Sequence, residues 1–194
     1  PGLVNPHVQT IAGKLLRRDL DVPLWRERVE TPDGDFLDLD FAFDPAGEMD
    51  AAAPVVVLLH GLEGNARRRY MKHTYRALVR RGLRPVGLNF RGCSGEPNRA
   101  ARAYHSGETT DLRFVVDTLG ERWPSAPFAV LGYSLGGNVA LKFLGEEGRR
   151  SGAGTVGAPG AGGVAPSSEA AGREAAGRVA AGAAVSVPFD LAAG

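Results

Sequence analysis

The chain has 194 residues, a length typical of a single domain. Apolar residues make up 43% and charged residues 23%, the proportions of a soluble globular protein. The 23 basic and 22 acidic side chains leave a formal net charge of +1, which argues against a nucleic-acid-binding protein and against a polybasic membrane-binding one.

The remaining composition indicates where the protein works. The single cysteine, Cys93, excludes an internal disulfide framework and predicts a reducing, cytoplasmic compartment. No apolar run reaches the length of about 18 residues that a membrane-spanning helix needs. Residues 1–20 contain no signal-peptide core. Glycine is in excess, with 27 residues, about twice ordinary usage.

The first part of the chain predicts little regular structure before one strand. Residues 1–34 hold four prolines and mix polar with apolar positions, which predicts an irregular N-terminal arm with at most one short helix. Residues 35–43 (DFLDLDFAF) alternate acidic and apolar side chains. This period of two predicts a strand with one buried face and one wet face.

The central part, within residues 35–147, alternates between two patterns. Short apolar runs at 55–59, 85–90 and 128–132 predict buried parallel strands. Each is followed by apolar residues at helical spacing. Strand and helix in alternation predict an α/β fold, with a mostly parallel central sheet and helices on both faces.

The pattern stops at residues 148–182, which contain ten of the glycines and ten alanines. Such a segment buries too little apolar area to offset its ordering entropy, so we expect a disordered low-complexity insertion. A Gly-x-Gly-x-x-Gly match inside it, at 152–157, lacks the strand and helix that a dinucleotide site requires. Residues 183–194 predict one further buried core strand, at 183–191, and the chain end.

The sequence 132–136 (GYSLG) is a Gly-x-Ser-x-Gly motif between a predicted strand and a predicted helix. This context predicts a nucleophile elbow with Ser134 as the nucleophile. Gly132 and Gly136 are expected to prevent collisions in the tight turn. The turn sets Ser134 at a helix N-terminus, where developing negative charge is favoured. A chance Gly-Ser-Gly turn is the alternative.

A second loop, 60–64 (HGLEG), ends the first buried strand. In this architecture such a loop supplies one of the two backbone donors of an oxyanion hole, and the residue after the serine supplies the other. The expected donors are the N–H groups of Leu62 and Leu135. His60 and Gly61 are expected to support the loop, with His60 holding its shape rather than acting as the base.

These motifs resemble the YheT-like branch of the α/β-hydrolases, which includes plant embryogenesis-associated proteins and ABHD-type animal relatives. The segments that carry the resemblance are NPHVQTI (5–11), LHGLEGN (59–65), NFRGCSGEPNR (89–99), YHSGETTDLRFVV (104–116), GYSLGGNVALKFLGEEG (132–148) and VSVPFDL (185–191). The resemblance implies an α/β-hydrolase fold and carboxylic-ester hydrolysis by a Ser-Asp-His triad. It implies short-chain esters, acylglycerols or phospholipids as substrates.

The sequence departs from this family in its histidines, at positions 7, 60, 73 and 105, which all precede Ser134. In this fold the acid and then the histidine follow the serine along the chain. We therefore expect the triad Asp and His to be absent from this chain, and the fold to be incomplete because the strands that carry them are missing. Asp190 could lie at the carboxyl end of the strand predicted at 183–191, where some α/β-hydrolases place their acid, but the resemblance implies a structural role for it.

The favoured hypothesis is thus a serine hydrolase that forms an acyl-enzyme on Ser134, with this chain an inactive fragment. The alternatives are a non-catalytic α/β-hydrolase-like binding domain and an acyltransferase. The expected partner is a small-molecule or lipid ester. The sequence contains neither a His-Glu-x-x-His motif nor a cysteine pair, so no metal or other cofactor is expected. The oligomeric state is not predicted.

Overall fold

The computed structural model describes residues 20–43, 50–150 and 179–188, and within these ranges the chain forms six strands and three helices. The strands are β1 (Trp25–Glu30), β2 (Phe36–Phe41), β3 (Val55–Leu59), β4 (Arg84–Leu88), β5 (Phe128–Tyr133) and β6 (Val179–Val185). The helices are α1 (Arg69–Val79), α2 (Thr110–Arg122) and α3 (Leu135–Arg150). None of these three helices is long and apolar enough to cross a membrane.

The strands form one mixed sheet in the order β1-β2-β4-β3-β5-β6. Strand β3 pairs in parallel with β4 and β5, and β5 pairs in parallel with β6. Strand β2 is antiparallel to both of its neighbours, β1 and β4. The predicted mostly parallel sheet is confirmed, and the carboxyl ends of its four parallel strands meet at one edge.

The two faces of the sheet are covered by different helices, as predicted. On one face Val55, Val57 and Leu59 join a buried cluster with residues of α2 and α3. On the other face Val56 and Leu58 join a second cluster that includes Met71 and Tyr75 of α1. The period of two in β3 therefore divides its residues between two cores.

Strand β1 corrects the expectation of an irregular arm over 1–34. Its six residues pair with β2 in continuous register, from Trp25 opposite Phe41 to Glu30 opposite Phe36. The expectation is wrong here because four of the six residues are charged, which conceals the strand period. Residues 1–19 of the arm lie outside the described part of the chain.

The prediction that one face of β2 is exposed to water is also wrong, because Asp38 and Asp40 on that face are 2% and 0% exposed. The two guanidinium groups of β1 account for this burial. Arg28 donates to both carboxylate oxygens of Asp38, at 2.8 and 2.9 Å. Arg26 donates to both oxygens of Asp40, at 3.0 and 2.7 Å. Each pair consists of directly opposed residues, so the ion pairs also fix the register of the two strands.

The glycine- and alanine-rich segment is shorter than expected at both ends. Helix α3 continues to Arg150, and β6 begins at Val179 rather than at 183. Within the described residues β6 is the edge strand, and most of its residues are exposed, so the expectation of a buried strand is wrong for its described part. Residues 151–178 and 189–194, with Asp190, lie outside the described residues.

We expect Asp40→Ala to lower the free energy of unfolding by about 3 kcal/mol, at the lower end of the range for breaking a buried ion pair. The loss leaves Arg26 and Arg67, which both bind this carboxylate, without their shared partner. Both arginines retain some contact with water, which limits the cost. Urea denaturation measures the change.

The control is Glu96→Ala, which removes an exposed partner of Arg28. Exposed ion pairs contribute about 0–1 kcal/mol, so this variant should remain close to the wild type. Equal losses in the two variants would show that burial of the Asp40 pair does not matter.

Candidate active site

Ser134 occupies the junction between β5, which ends at Tyr133, and α3, which begins at Leu135. Its φ of 50° lies in the left-handed region that residues other than glycine seldom adopt. The junction is fixed from both sides. The Ser134 N–H donates to the Val185 carbonyl at 2.8 Å, and the Ser134 carbonyl accepts from the Gly137 N–H at 2.8 Å.

Two glycines permit this sharp turn. A Cβ at Gly132 would overlap the carbonyl of Gly136. A Cβ at Gly136 would lie 2.5 Å from the carbonyl oxygen of His60 and 2.8 Å from that of Leu59. The end of β3 and the start of α3 thus touch backbone to backbone, with no space for a side chain between them.

The loop 60–64, called the oxyanion loop from here, lies directly beside Ser134. A Cβ built on Gly61 would be 3.3 Å from the Cβ of Ser134 and 3.9 Å from its Oγ. The Gly64 N–H donates to the Gly61 carbonyl at 3.0 Å, which closes a β-turn with Glu63 at a φ of 51°. Leu62 forms the exposed tip of the turn. The structure therefore brings together the two motifs that the sequence analysis singled out.

The backbone N–H groups of the oxyanion loop differ in whether they have a hydrogen-bond acceptor. The Gly61 N–H donates to the Tyr70 hydroxyl at 3.0 Å, and the Glu63 N–H donates to the Tyr104 hydroxyl at 2.9 Å. Among the described residues, the Leu62 N–H between them has no acceptor. Leu135 is the first residue of α3, where N–H groups have no partner within the helix. Leu62 and Leu135 thus each have a backbone N–H without an acceptor among the described residues.

His60 is fully buried under the oxyanion loop, and both of its ring nitrogens are engaged. Nε2 accepts from the Phe90 N–H at 3.1 Å, and Nδ1 lies 2.7 Å from the Gly61 carbonyl oxygen. Since an amide N–H only donates and a carbonyl only accepts, the ring is neutral with its proton on Nδ1. Burial lowers its pKa to about 4, against the opposing effect of the Gly61 carbonyl. Neither nitrogen is free to take a proton from Ser134.

The other histidines are also not placed as a base. His73 is exposed on α1, and His105 Nδ1 accepts from the Gly107 N–H at 3.1 Å. His7 lies outside the described residues. Within residues 20–43, 50–150 and 179–188, no hydrogen bond connects the Ser134 hydroxyl to a histidine or a carboxylate.

An open cavity of about 600 Å³ adjoins the outer side of the oxyanion loop. Its walls are residues 62–65, residues 91–95 and Tyr104. Cys93 is half-buried there, and burial raises the pKa of its thiol above the usual value. This shift disfavours the thiolate, which is the nucleophilic form of cysteine.

Sequence reasoning did not identify Tyr70 and Tyr104. No local pattern marks them, since their partners lie 9 and 41 residues away along the chain. Two arginines of the basic run 67–69 also have specific partners near the site. Arg67 pairs with buried Asp40, and Arg68 donates to the Glu63 carbonyl at 3.0 Å.

Comparison with known proteins supports the assignment of the fold. The profile of the family described as serine aminopeptidase, S33, matches residues 50–189. YheT of Escherichia coli (strain K12), which carries a provisional esterase name, is 43% identical over 147 residues, covering 76% of this chain and 43% of YheT. Phospholipase ABHD3 of Homo sapiens is 33% identical over 147 residues, covering 74% of this chain and 36% of ABHD3.

A solved structure supports the same fold. The esterase Pf2001 of Pyrococcus furiosus superposes with a TM-score of 0.53 at 20% identity, over 75% of this chain and 53% of that one. The chain spans less than half the length of YheT and of ABHD3. The predicted resemblance is confirmed, and the chain belongs to the serine aminopeptidase, S33, family of α/β-hydrolases as a relative of YheT.

Proposed function

We propose that this chain carries the nucleophile and the oxyanion hole of a serine hydrolase that acts on carboxylic esters. Ser134 is the nucleophile, and the N–H groups of Leu62 and Leu135 are the oxyanion donors. The observation that carries the proposal is the strained turn at Ser134, which lies against a loop whose tip has an open N–H. His60, Gly61, Gly132 and Gly136 support this arrangement.

In the proposed reaction the Ser134 oxygen attacks the ester carbonyl carbon, and its proton passes to a base. The carbonyl oxygen becomes the oxyanion, which accepts from the two backbone N–H groups. The base returns the proton to the departing alcohol, leaving an acyl-enzyme. Water then attacks the acyl carbon, and its proton reaches the serine oxygen as the carboxylic acid leaves.

The base of this reaction is not among the described residues near Ser134. In the sequence no histidine follows Ser134, whereas the histidine of this fold comes after the nucleophile. We infer that the 194-residue chain is nearly inactive alone, since a serine without its general base loses several orders of magnitude in rate. A second candidate is a non-catalytic domain that binds a ligand in the open cavity of about 600 Å³ beside the oxyanion loop.

The proposed substrates are small-molecule or lipid esters. YheT is provisionally named an esterase and ABHD3 a phospholipase, and both names fit enzymes that cleave an ester bond. The donors at Leu62 and Leu135 would recognise the ester carbonyl itself. We propose a cytoplasmic location, because a single cysteine in these 194 residues suits a reducing compartment.

We expect an alkyl fluorophosphonate to label the 194-residue chain slowly at Ser134, and imidazole to accelerate the labelling. A small soluble base can take the place of a missing histidine, while the oxyanion hole and binding alone retain part of the catalysis. Intact-protein mass spectrometry over time, followed by peptide mapping, measures the rate and the site.

Ser134→Ala should abolish the label, and Ser125→Ala, at an exposed serine before β5, should label like the wild type. Labelling that persists unchanged in Ser134→Ala would refute the nucleophile assignment. A folded wild-type chain that remains unlabelled even with imidazole would favour the non-catalytic domain.

The role of His60 in holding the loop predicts a pH-dependent stability. In the unfolded chain its pKa is the ordinary 6.5, and in the folded protein it is about 4, so between these values the unfolded state binds more protons. The free energy of unfolding should therefore fall as pH decreases from 6.5 towards 4, by about 3 kcal/mol in total. Urea denaturation at several pH values measures this slope.

His60→Gln removes the titrating ring, so the difference between wild type and variant separates this effect from that of the carboxylates. His73→Gln, on the exposed face of α1, should keep the wild-type slope. Parallel profiles for the wild type and His60→Gln would contradict a buried neutral imidazole.

A further inference from the structure

We propose that Tyr70 and Tyr104 are positioning residues that select the Leu62 N–H as the donor of the oxyanion loop. They do so by occupying the N–H groups of Gly61 and Glu63 on either side of it. The inference rests on the proposed function and goes beyond it, because it assigns a role in the reaction to two side chains outside the oxyanion loop and the elbow.

Three successive N–H groups, those of residues 61, 62 and 63, lie at the end of β3. The outer two donate to phenol hydroxyls, at 3.0 Å to Tyr70 and 2.9 Å to Tyr104. A turn with Glu63 in the left-handed region is costly unless its surroundings hold it. The two hydroxyls supply such contacts, so the peptide plane of Leu62 is held from both sides.

Tyr70 also contacts the other half of the site. Its ring packs edge-on against Tyr133, with centroids 4.8 Å apart, and Tyr133 immediately precedes Ser134. The Tyr133 hydroxyl is hydrogen-bonded to Thr74 of α1 at 2.5 Å. One side chain therefore contacts the oxyanion loop through its hydroxyl and the serine junction through its ring. Tyr70 thereby sets the spacing between the Leu62 and Leu135 donors. This spacing matters because the oxyanion must lie about 2.7–3.1 Å from each of the two nitrogens.

Tyr104 anchors the loop to the end of β4. Its ring stacks on Phe90, with centroids 5.0 Å apart and planes 7° from parallel. Phe90 in turn donates its N–H to His60 and packs against that ring at 4.7 Å. Stacking on Phe90 thus holds the Tyr104 ring in place, and with it the hydroxyl that binds the Glu63 N–H.

Tyr75 provides a matched control on the same helix as Tyr70. It is fully buried, and among the described residues its hydroxyl has no hydrogen-bond partner. Removing such a hydroxyl is neutral or stabilising, whereas the hydroxyls of Tyr70 and Tyr104 each bind an amide of the oxyanion loop. The comparison separates a general effect of losing a phenol oxygen from loss of the specific contact.

The first experiment is amide hydrogen exchange of the 194-residue chain, read at single residues by NMR. Tyr70→Phe should abolish protection of the Gly61 amide, and Tyr104→Phe that of Glu63, while Tyr75→Phe should change neither. Unchanged protection in the first two variants would overturn the inference whatever the reaction of Ser134.

The second experiment measures fluorophosphonate labelling of Ser134 with imidazole over a range of probe concentrations. Tyr70→Phe and Tyr104→Phe should lower the maximal labelling rate by about tenfold, less than the 10²–10³-fold lost with an oxyanion donor. The probe concentration that gives half the maximal rate should not change. General destabilisation would not lower the maximal rate while leaving this concentration the same. Tyr75→Phe should match the wild type.

The outcomes separate the two proposals. Wild-type protein that is not labelled at Ser134 would overturn the proposed function, and this inference with it. Wild-type labelling with unchanged maximal rates in Tyr70→Phe and Tyr104→Phe would overturn the inference alone. Thermal unfolding midpoints well above the assay temperature in all three tyrosine variants would exclude misfolding as the cause of a slower rate.

Discussion

The close approach of backbones at the carboxyl edge of the sheet determines the geometry of the site. Gly136 contacts the carbonyls at the end of β3, and Gly132 contacts Gly136, with no room for a side chain at either position. Parallel pairing of β3 with β5 brings these two ends to the same level. The direct contact places Gly61 against Ser134, so the two proposed oxyanion donors are held on touching pieces of backbone. Any added atom at this contact would move one donor relative to the other.

Charge pairing around Asp40 of β2 supports the same arrangement. The Asp40 carboxylate binds arginines from β1 and from the segment before α1, and it also accepts from Asn89 at 2.9 Å. The other end of the Asn89 amide accepts from the Ala66 N–H at 2.9 Å, just before α1. A buried carboxylate thus connects β1, β2, the end of β4 and the start of α1. Since Tyr70 lies in the first turn of α1, this network also positions the hydroxyl that binds the oxyanion loop.

Features encoded by local pattern were predictable from the sequence, and features that depend on distant partners were not. Strands β3, β4 and β5 were recognised because each is a short apolar run, and the junction at Ser134 because Gly-x-Ser-x-Gly lies between a strand and a helix. The same reason explains why strand β1 was not predicted and why Asp38 and Asp40 were predicted to face water. A charged residue in a sequence indicates exposure unless its partner is known, and here each partner is on the neighbouring strand. Tyr70 was overlooked because its hydroxyl serves a backbone amide, which leaves no sequence signal.

The supports of the proposed oxyanion hole share one property, which is that they do not change charge near neutral pH. The donors are backbone amides, which do not titrate. Burial raises the pKa of Tyr70 and of Tyr104, so both hydroxyls remain protonated and neutral. Burial lowers the pKa of His60 to about 4, so its ring remains neutral as well. The proposed oxyanion hole is therefore preorganised over the whole neutral range, independently of the proton transfer that the reaction also needs. A pH dependence of ester cleavage near neutrality would then report the base that receives the Ser134 proton, and not this part of the site.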